Sequence, residues 1–294
     1  MHAMPFAEES PPEPRTRCAA PTSRAWPWLR ATVAGASLLV MVACAPVQTT
    51  QSGAVGVDRK QYVTSLISPQ QVEQEAAQTY AAVMGEARAH GALNPDPQQT
   101  QRVRRIAERL IAQVPAFRAD AANWQWQVNV IESDQVNAWC MPGGRIAVYT
   151  GMLERIQPTD AELAAVIGHE IAHALREHTR EQMSQQLGAG LGLSVLGAIT
   201  GSRDAVEMGN TFTQVMFQLP NSREFENEAD AIGLELAARA GYDPRAAVSL
   251  WRKMAAQGGG GQPEFLSTHP SSSTRIANLQ QMSERLMPVY LANR

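Results

Sequence analysis

Residues 159–175 read TDAELAAVIGHEIAHAL. Thr159, with Glu162 three residues on, forms a capping box that opens a helix. In the turns that follow, Leu163, Ala164, Val166, Ile167, Ile171, Ala174 and Leu175 leave almost no polar face. Such a helix is expected in the middle of the core, not on its surface. Polar side chains inside it, His169, Glu170 and His173, must then be satisfied or functional. The two histidines are four residues apart, slightly more than one turn, so both imidazoles project from one face. A tetrahedral metal ion needs two nitrogens held on a rigid base of this kind. Glu170, beside the first of them, can take a proton from an activated water. Composition alone produces H-E-x-x-H in about one such chain in a hundred, so paired core histidines without a metal are the weaker reading.

A catalytic zinc takes a third protein ligand and keeps one position open. The helix expected from Asn221, as N-cap with Glu224 three residues on, to the stop at Gly241 supplies candidates. Glu226 and Asp230, at i and i+4, share one face. Glu226 can ligate, and Asp230 can orient a ligating histidine from behind. Glu224 and Glu228 are acidic too, which leaves open a solvated acidic face with Glu228 as a competing ligand. His178, five residues after His173, falls off the ligand face and reads as a helix-end histidine. Cys140 reads as a small buried thiol, with metal ligation as the alternative.

Upstream, Pro69 to His90 has helix-favouring composition and ends at Gly91. Asp96-Pro97 opens a second helix with an apolar stripe at Val103, Ile106, Leu110 and Val114. Arg102, Arg104, Arg105 and Arg109 lie on or beside its other face, read as solvated. Trp124 to Val130 alternates as a half-buried strand, and Arg145 to Tyr149 reads as another. Asn137 to Gly144 lies between them, with a turn at Pro142-Gly143-Gly144. The fold class is therefore mostly α with a small β-sheet, an α+β arrangement. No internal repeat is visible. Leu187 to Thr200 is apolar and glycine-rich, either a tightly packed helix, or a mobile lid over the cleft or a surface that touches the membrane or unfolded substrate. Gly258 to Gly261 reads as a flexible loop.

The chain has 294 residues and a net charge of -3, which excludes a basic nucleic-acid footprint. Arg24 and Arg30 precede an apolar run from Ala31 to Ala43, too short to span a bilayer and suited to a signal peptide. That run ends in Met41-Val42-Ala43-Cys44, which resembles a bacterial lipobox with Met41 in place of the usual leucine. The expectation is a signal peptide over 1–43, a lipidated Cys44 with a flexible tether over 44–60, and a single domain over 61–294. A plain signal peptide or a short anchor is the alternative. The long segment before the apolar run leaves open a translation start at Met4. Of three cysteines, Cys18 is then lost and Cys44 acylated. Cys140 is left without a disulfide partner.

Four motifs in order carry a family resemblance. They are Asn137-Ala138 with Pro142-Gly143-Gly144; His169-Glu170-x-x-His173; Ser222-Arg223-x-x-Glu226-x-Glu228-Ala229-Asp230-x-x-Gly233; and His269-Pro270 with Arg275. The chain resembles the Ste-twenty-four/HtpX-type zinc metalloendopeptidases, peptidase family M forty-eight, and within it the LoiP-, BepA- and Oma-like envelope branch. The resemblance implies a gluzincin-like core with an HExxH helix and an ExxxD helix. It implies one zinc per chain on His169, His173 and Glu226, with Glu170 as general base. It places Asn137 near the strand along which substrate lies, and His269 and Arg275 facing the cleft, where they help stabilise the oxyanion. Polypeptide substrates are implied, among them misfolded or misassembled envelope proteins, in protein quality control; a place at the outer membrane, facing the periplasm, is implied separately by Ala45 after the lipobox-like Cys44. Arg294 ends the sequence without a BepA-type helical-repeat array, so a compact form is expected. A non-proteolytic assembly factor or chaperone-like lipoprotein with a structural zinc site is the rival, and a secreted metal-free binding module a third reading.

Overall fold

A computed structural model of the chain describes residues 44–187, 204–257 and 263–294, with the side chains of 44–45 and 204–207 left aside. The expected signal peptide over 1–43, the glycine-rich apolar segment beyond Leu187 and the Gly258–Gly261 loop lie outside the described residues.

Local signals place the first helices. Helix α1 (Pro69–Ala89) begins at a reciprocal capping box between Ser68 and Gln71, and Gly91 follows it at φ 69°. Helix α2 (Pro97–Ile111) begins at Asp96, whose carboxylate accepts the backbone N–H groups of Gln98 and Gln99. Val103, Ile106 and Leu110 are buried as the stripe requires. The arginine face does more than meet solvent. Arg102 donates to Asp160 and to the Pro158 carbonyl, and Arg104 to the Val128 carbonyl.

Strands β1 (Cys44–Val47) and β2 (Gln61–Thr64) pair antiparallel, Cys44 opposite Thr64. The segment expected to be a tether is therefore docked on the body. Thr50 and Val57 are buried, and the Glu235 carboxylate accepts the N–H groups of Ala54 and Val55 at 2.6 and 3.0 Å. Its Gln-, Thr- and Ser-rich composition suggested flexibility, but the body supplies partners for its backbone.

The main sheet runs β3 (Gln127–Ile131), β5 (Arg145–Tyr149), β4 (Ala138–Met141), with β3 parallel and β4 antiparallel to β5. Trp124 and Trp126 precede β3 instead of belonging to it. Strand β4 lies where the sequence suggested only a turn. Gly143 and Gly144, at φ 80° and 86°, reverse the chain into β5.

After α3 (Thr150–Glu154) comes α4 (Asp160–Leu175), opened by the Thr159/Glu162 capping box and buried along nearly its whole length. Then follow α5 (His178–Gln186), α6 (Asp204–Phe217), α7 (Arg223–Arg239), α8 (Ala246–Ala256), α9 (Glu264–Thr268) and α10 (Ser273–Asn293). Ser222, not Asn221, caps α7; its hydroxyl accepts from the Phe225 N–H. Gly241 at φ 75° ends it as expected.

Two glycines bring α4 and α7 together. A Cβ on Gly168 would sit 2.8 Å from the Gly233 carbonyl oxygen, and one on Gly233 would sit 2.6 Å from the His169 nitrogen. The helices thus cross in backbone contact, one residue before His169.

Candidate metal centre

The crossing sets His169 and His173 of α4 against Glu226 on the first turn of α7. His269, just after α9, completes a buried cluster whose donor atoms lie within 4.8 Å of one another. His173 Nε2 is 3.0 Å from His169 Nε2, which is 3.1 Å from His269 Nδ1. Glu226 Oε1 is 3.3 Å from His173 Nε2 and 2.9 Å from His269 Nδ1, and Oε2 is 3.5 Å from His169 Nε2. A zinc with bonds of 2.0–2.1 Å has donor–donor edges of about 3.3–3.4 Å, so the spacings suit a tetrahedral ion. The chemistry fits as well. Three imidazole nitrogens, with His169 Nε2 in contact with the other two, need a cation or shared protons between them. Glu170 Oε1 is also buried without a hydrogen bond.

Electrostatics point the same way. Burial alone would lower His169, but the Glu226 and Asp230 carboxylates outweigh it and hold it at about 9. Burial drives His173 well down. It raises Glu170, against the opposing pull of His269 and His169. Glu226 stays well below the ordinary range: burial pushes it up, and the histidines more than offset that.

Each histidine of the α4 pair is held from behind. Asp230 Oδ1 lies 3.0 Å from His169 Nδ1. Asp230 in turn receives Arg275 through Nε and Nη2, both at 2.7 Å. Arg275 Nη1 lies 2.5 Å from Glu226 Oε2, and its guanidinium stacks on Trp251 at 3.7 Å. The guanidinium expected to face the cleft is thus engaged by Asp230 and Glu226, because two carboxylates outcompete an open cleft for it.

His178 departs further from expectation. It is buried, and its Nδ1 meets His173 Nδ1 at 2.8 Å, while its Nε2 meets Glu228 Oε2 at 3.0 Å. The assumption of a continuous helix failed. Glu177 takes a left-handed conformation, φ 52°, and starts a new helix that turns His178 back onto His173. Glu228 is accordingly not a ligand candidate, since it faces His178, Arg176 and Arg59.

The cleft beside the cluster is lined by Asn137, Cys140, Glu170, His173 and His269, with Met216 and Phe217 from the end of α6. It holds about 40 Å³, room for a few waters. Asn137 lies here at the start of β4, its side-chain oxygen accepting from the Ala138 N–H. Cys140 is a buried thiol, its pKa pushed up by burial.

Several known proteins are similar to this chain. The mitochondrial metalloendopeptidase OMA1 of Arabidopsis thaliana is 40% identical over 165 residues, 55% of this chain and 33% of its own length. OMA1 of Saccharomyces cerevisiae is 34% identical over 174 residues, 56% of this chain and 49% of its own length. The beta-barrel assembly-enhancing protease of Escherichia coli K12 is 27% identical over 215 residues, 67% of this chain and 41% of its own length. The chain thus spans a third to a half of the relatives it matches. The pattern of peptidase family M48 matches residues 97–283, from α2 to α10 and across the whole cluster, and this chain belongs to that family.

Proposed function

We propose that the protein is a zinc-dependent metalloendopeptidase. The observation that carries the reading is the convergence of His169, His173 and Glu226 on one point, with the Glu170 carboxylate beside it at the end of a cleft. His169, His173 and Glu226 would hold the ion. Zinc supplies Lewis acidity, polarising a peptide carbonyl and lowering the pKa of water to about 7. Glu170 takes the proton from the attacking water and later returns it to the leaving amine nitrogen. His269, with Nε2 3.4 Å from Glu170 Oε1, is at hand for the developing oxyanion. Arg275 acts from behind, fixing Glu226 and Asp230. Asn137 stands at the head of the β4 edge, where an extended substrate can add as a strand.

The substrates we assign are misfolded or unassembled proteins of the cell envelope. Support comes from the lipobox-like run ending at Cys44, which predicts a lipid-anchored protein on the periplasmic face of the outer membrane. Among the described residues no helix is long and apolar enough to cross a membrane.

The test is cleavage of casein by the full-length chain and by Glu170→Gln, with and without a chelator, and zinc content measured on both. Chelator-sensitive cleavage by wild type, with equal zinc and a loss of about 10²–10⁴-fold in the variant, is the expected result. One observation favours a non-proteolytic assembly factor: with His269 the cluster offers four protein donors, as closed structural sites do. That reading requires full rescue of a deletion phenotype by Glu170→Gln.

A further inference from the structure

The segment read as a tether and the histidine read as a helix end belong to one buried network. Glu228 receives Arg59 Nε at 2.5 Å and Arg176 Nε at 2.9 Å. Arg59 also grips Glu181 through Nη1 and Nη2, at 2.7 and 2.8 Å. Arg176 is fully buried, and it donates to Thr50 Oγ1 at 3.1 Å and to the Arg59 carbonyl at 2.9 Å. Thr50 and Arg59 belong to the 44–64 segment, so this segment reaches the carboxylate that holds His178.

Donor and acceptor rules settle the direction of the chain. An ionised carboxylate only accepts. His178 must therefore carry its proton on Nε2 and donate to Glu228, which leaves its Nδ1 as a lone pair. His173 Nδ1 must then carry a proton and donate to it. His173 Nε2 is left unprotonated, facing His169 and Glu226. The network thereby selects the one neutral tautomer of His173 that can ligate through Nε2, a task that a carboxylate or backbone carbonyl usually performs directly. The His178 ring is locked besides, stacked on Phe225 at 4.4 Å.

We propose that His178 is the positioning residue of the metal ligand His173, and that the 44–64 segment, through Arg59 and the Arg176–Thr50 contact, is a working part of the metal centre. The proposal rests on the zinc reading above. Anything that detaches this segment releases Glu228 and, through His178, loosens the ion.

Zinc dissociation constants by chelator competition, with metal-free melting temperatures, test it on the full-length chain. His178→Phe keeps the ring shape and loses both hydrogen bonds, and is expected to weaken zinc binding about 10–100-fold. His178→Gln, which can still accept from His173 and donate to Glu228, is expected to stay within about threefold of wild type. Arg59→Ala, at the partly exposed end, is expected to weaken binding about 3–10-fold. Val130→Ala, a cavity in β3 away from the network, is the control and should lower the melting temperature without moving zinc affinity. Wild-type affinity in His178→Phe, or an equal loss in Val130→Ala, overturns the proposal. If His178→Phe does not fold, unchanged affinity in Arg59→Ala overturns it. A wild-type chain that binds no zinc overturns the zinc reading and this proposal together.

Discussion

The two histidines of α4 are held by supports of different length. Behind His169 stand Asp230 and Arg275, a direct carboxylate and one guanidinium. Behind His173 stand His178, Glu228, Arg176 and Arg59, ending in the docked 44–64 segment. The first support is short because Glu226 and Asp230 lie on the same face of α7, so the two carboxylates arrive together. The second is long because nothing on α7 reaches the far nitrogen of His173, and a new helix must return His178 to it. A metal site on two helices can thus be rigid on one side by local geometry and on the other only by long-range assembly.

The largest effect is expected where the short support is broken. Asp230→Ala leaves Arg275 buried with half its partners and His169 without its acceptor. We expect a loss of about 3–5 kcal/mol of stability and zinc binding weakened about 10–100-fold, read by denaturant unfolding and chelator competition. Near-wild-type values on both would mean that the short support is dispensable and the comparison wrong.

Gly233→Ala strikes what both supports share. The added methyl would meet the His169 nitrogen and the Gly168 carbon within 2.8 Å, so α4 and α7 must part. A loss of about 1–3 kcal/mol is expected, with zinc content falling in the folded fraction. A variant that unfolds at the wild-type denaturant concentration would show that the crossing has slack.

Acid separates the supports. Burial pushes Glu228 up, but His178, Arg59 and Arg176 outweigh it and hold it at about 2, against an ordinary 4.5. A depressed carboxylate contributes stability that is complete above its unfolded pKa and is lost as pH falls toward the folded one. Metal-free protein should therefore lose stability between about pH 4.5 and 2, and Glu228→Gln should flatten part of that slope. An unchanged slope in the variant would assign the acid sensitivity to the Asp230 side.

The smallest effect sets the scale. Arg102→Ala removes a largely exposed ion pair to Asp160 at the start of α4. About 0–1 kcal/mol is expected, with zinc affinity unmoved. A measurable loss of zinc would mean that α4 transmits strain from its first turn to His169.

Much of the site was legible before any coordinates. The capping box at Thr159, the apolar surround of α4 and the H-E-x-x-H spacing each follow from single-helix periodicity, as does the Glu226/Asp230 pair. Strand β4 was harder to see. It has four residues, all buried, and so shows no alternation. His178 was misread because the spacing argument assumes an unbroken helix, while the left-handed Glu177 is not a glycine and gives no composition signal. Arg275 was expected in the cleft because its place in the motif says nothing about which carboxylates compete for it.

By itself the sequence determined helices α1, α2, α4 and α7, the face on which His169 and His173 stand, the residue types of the cluster and the family. These depend on interactions within one or two turns, where spacing is geometry. Only the tertiary structure decided that α4 and α7 touch at Gly168 and Gly233, that His269 joins the cluster and Arg275 withdraws behind it, and that the 44–64 segment closes on Glu228. Those contacts join residues far apart in the chain, and burial and competing partners, which no local pattern records, select them.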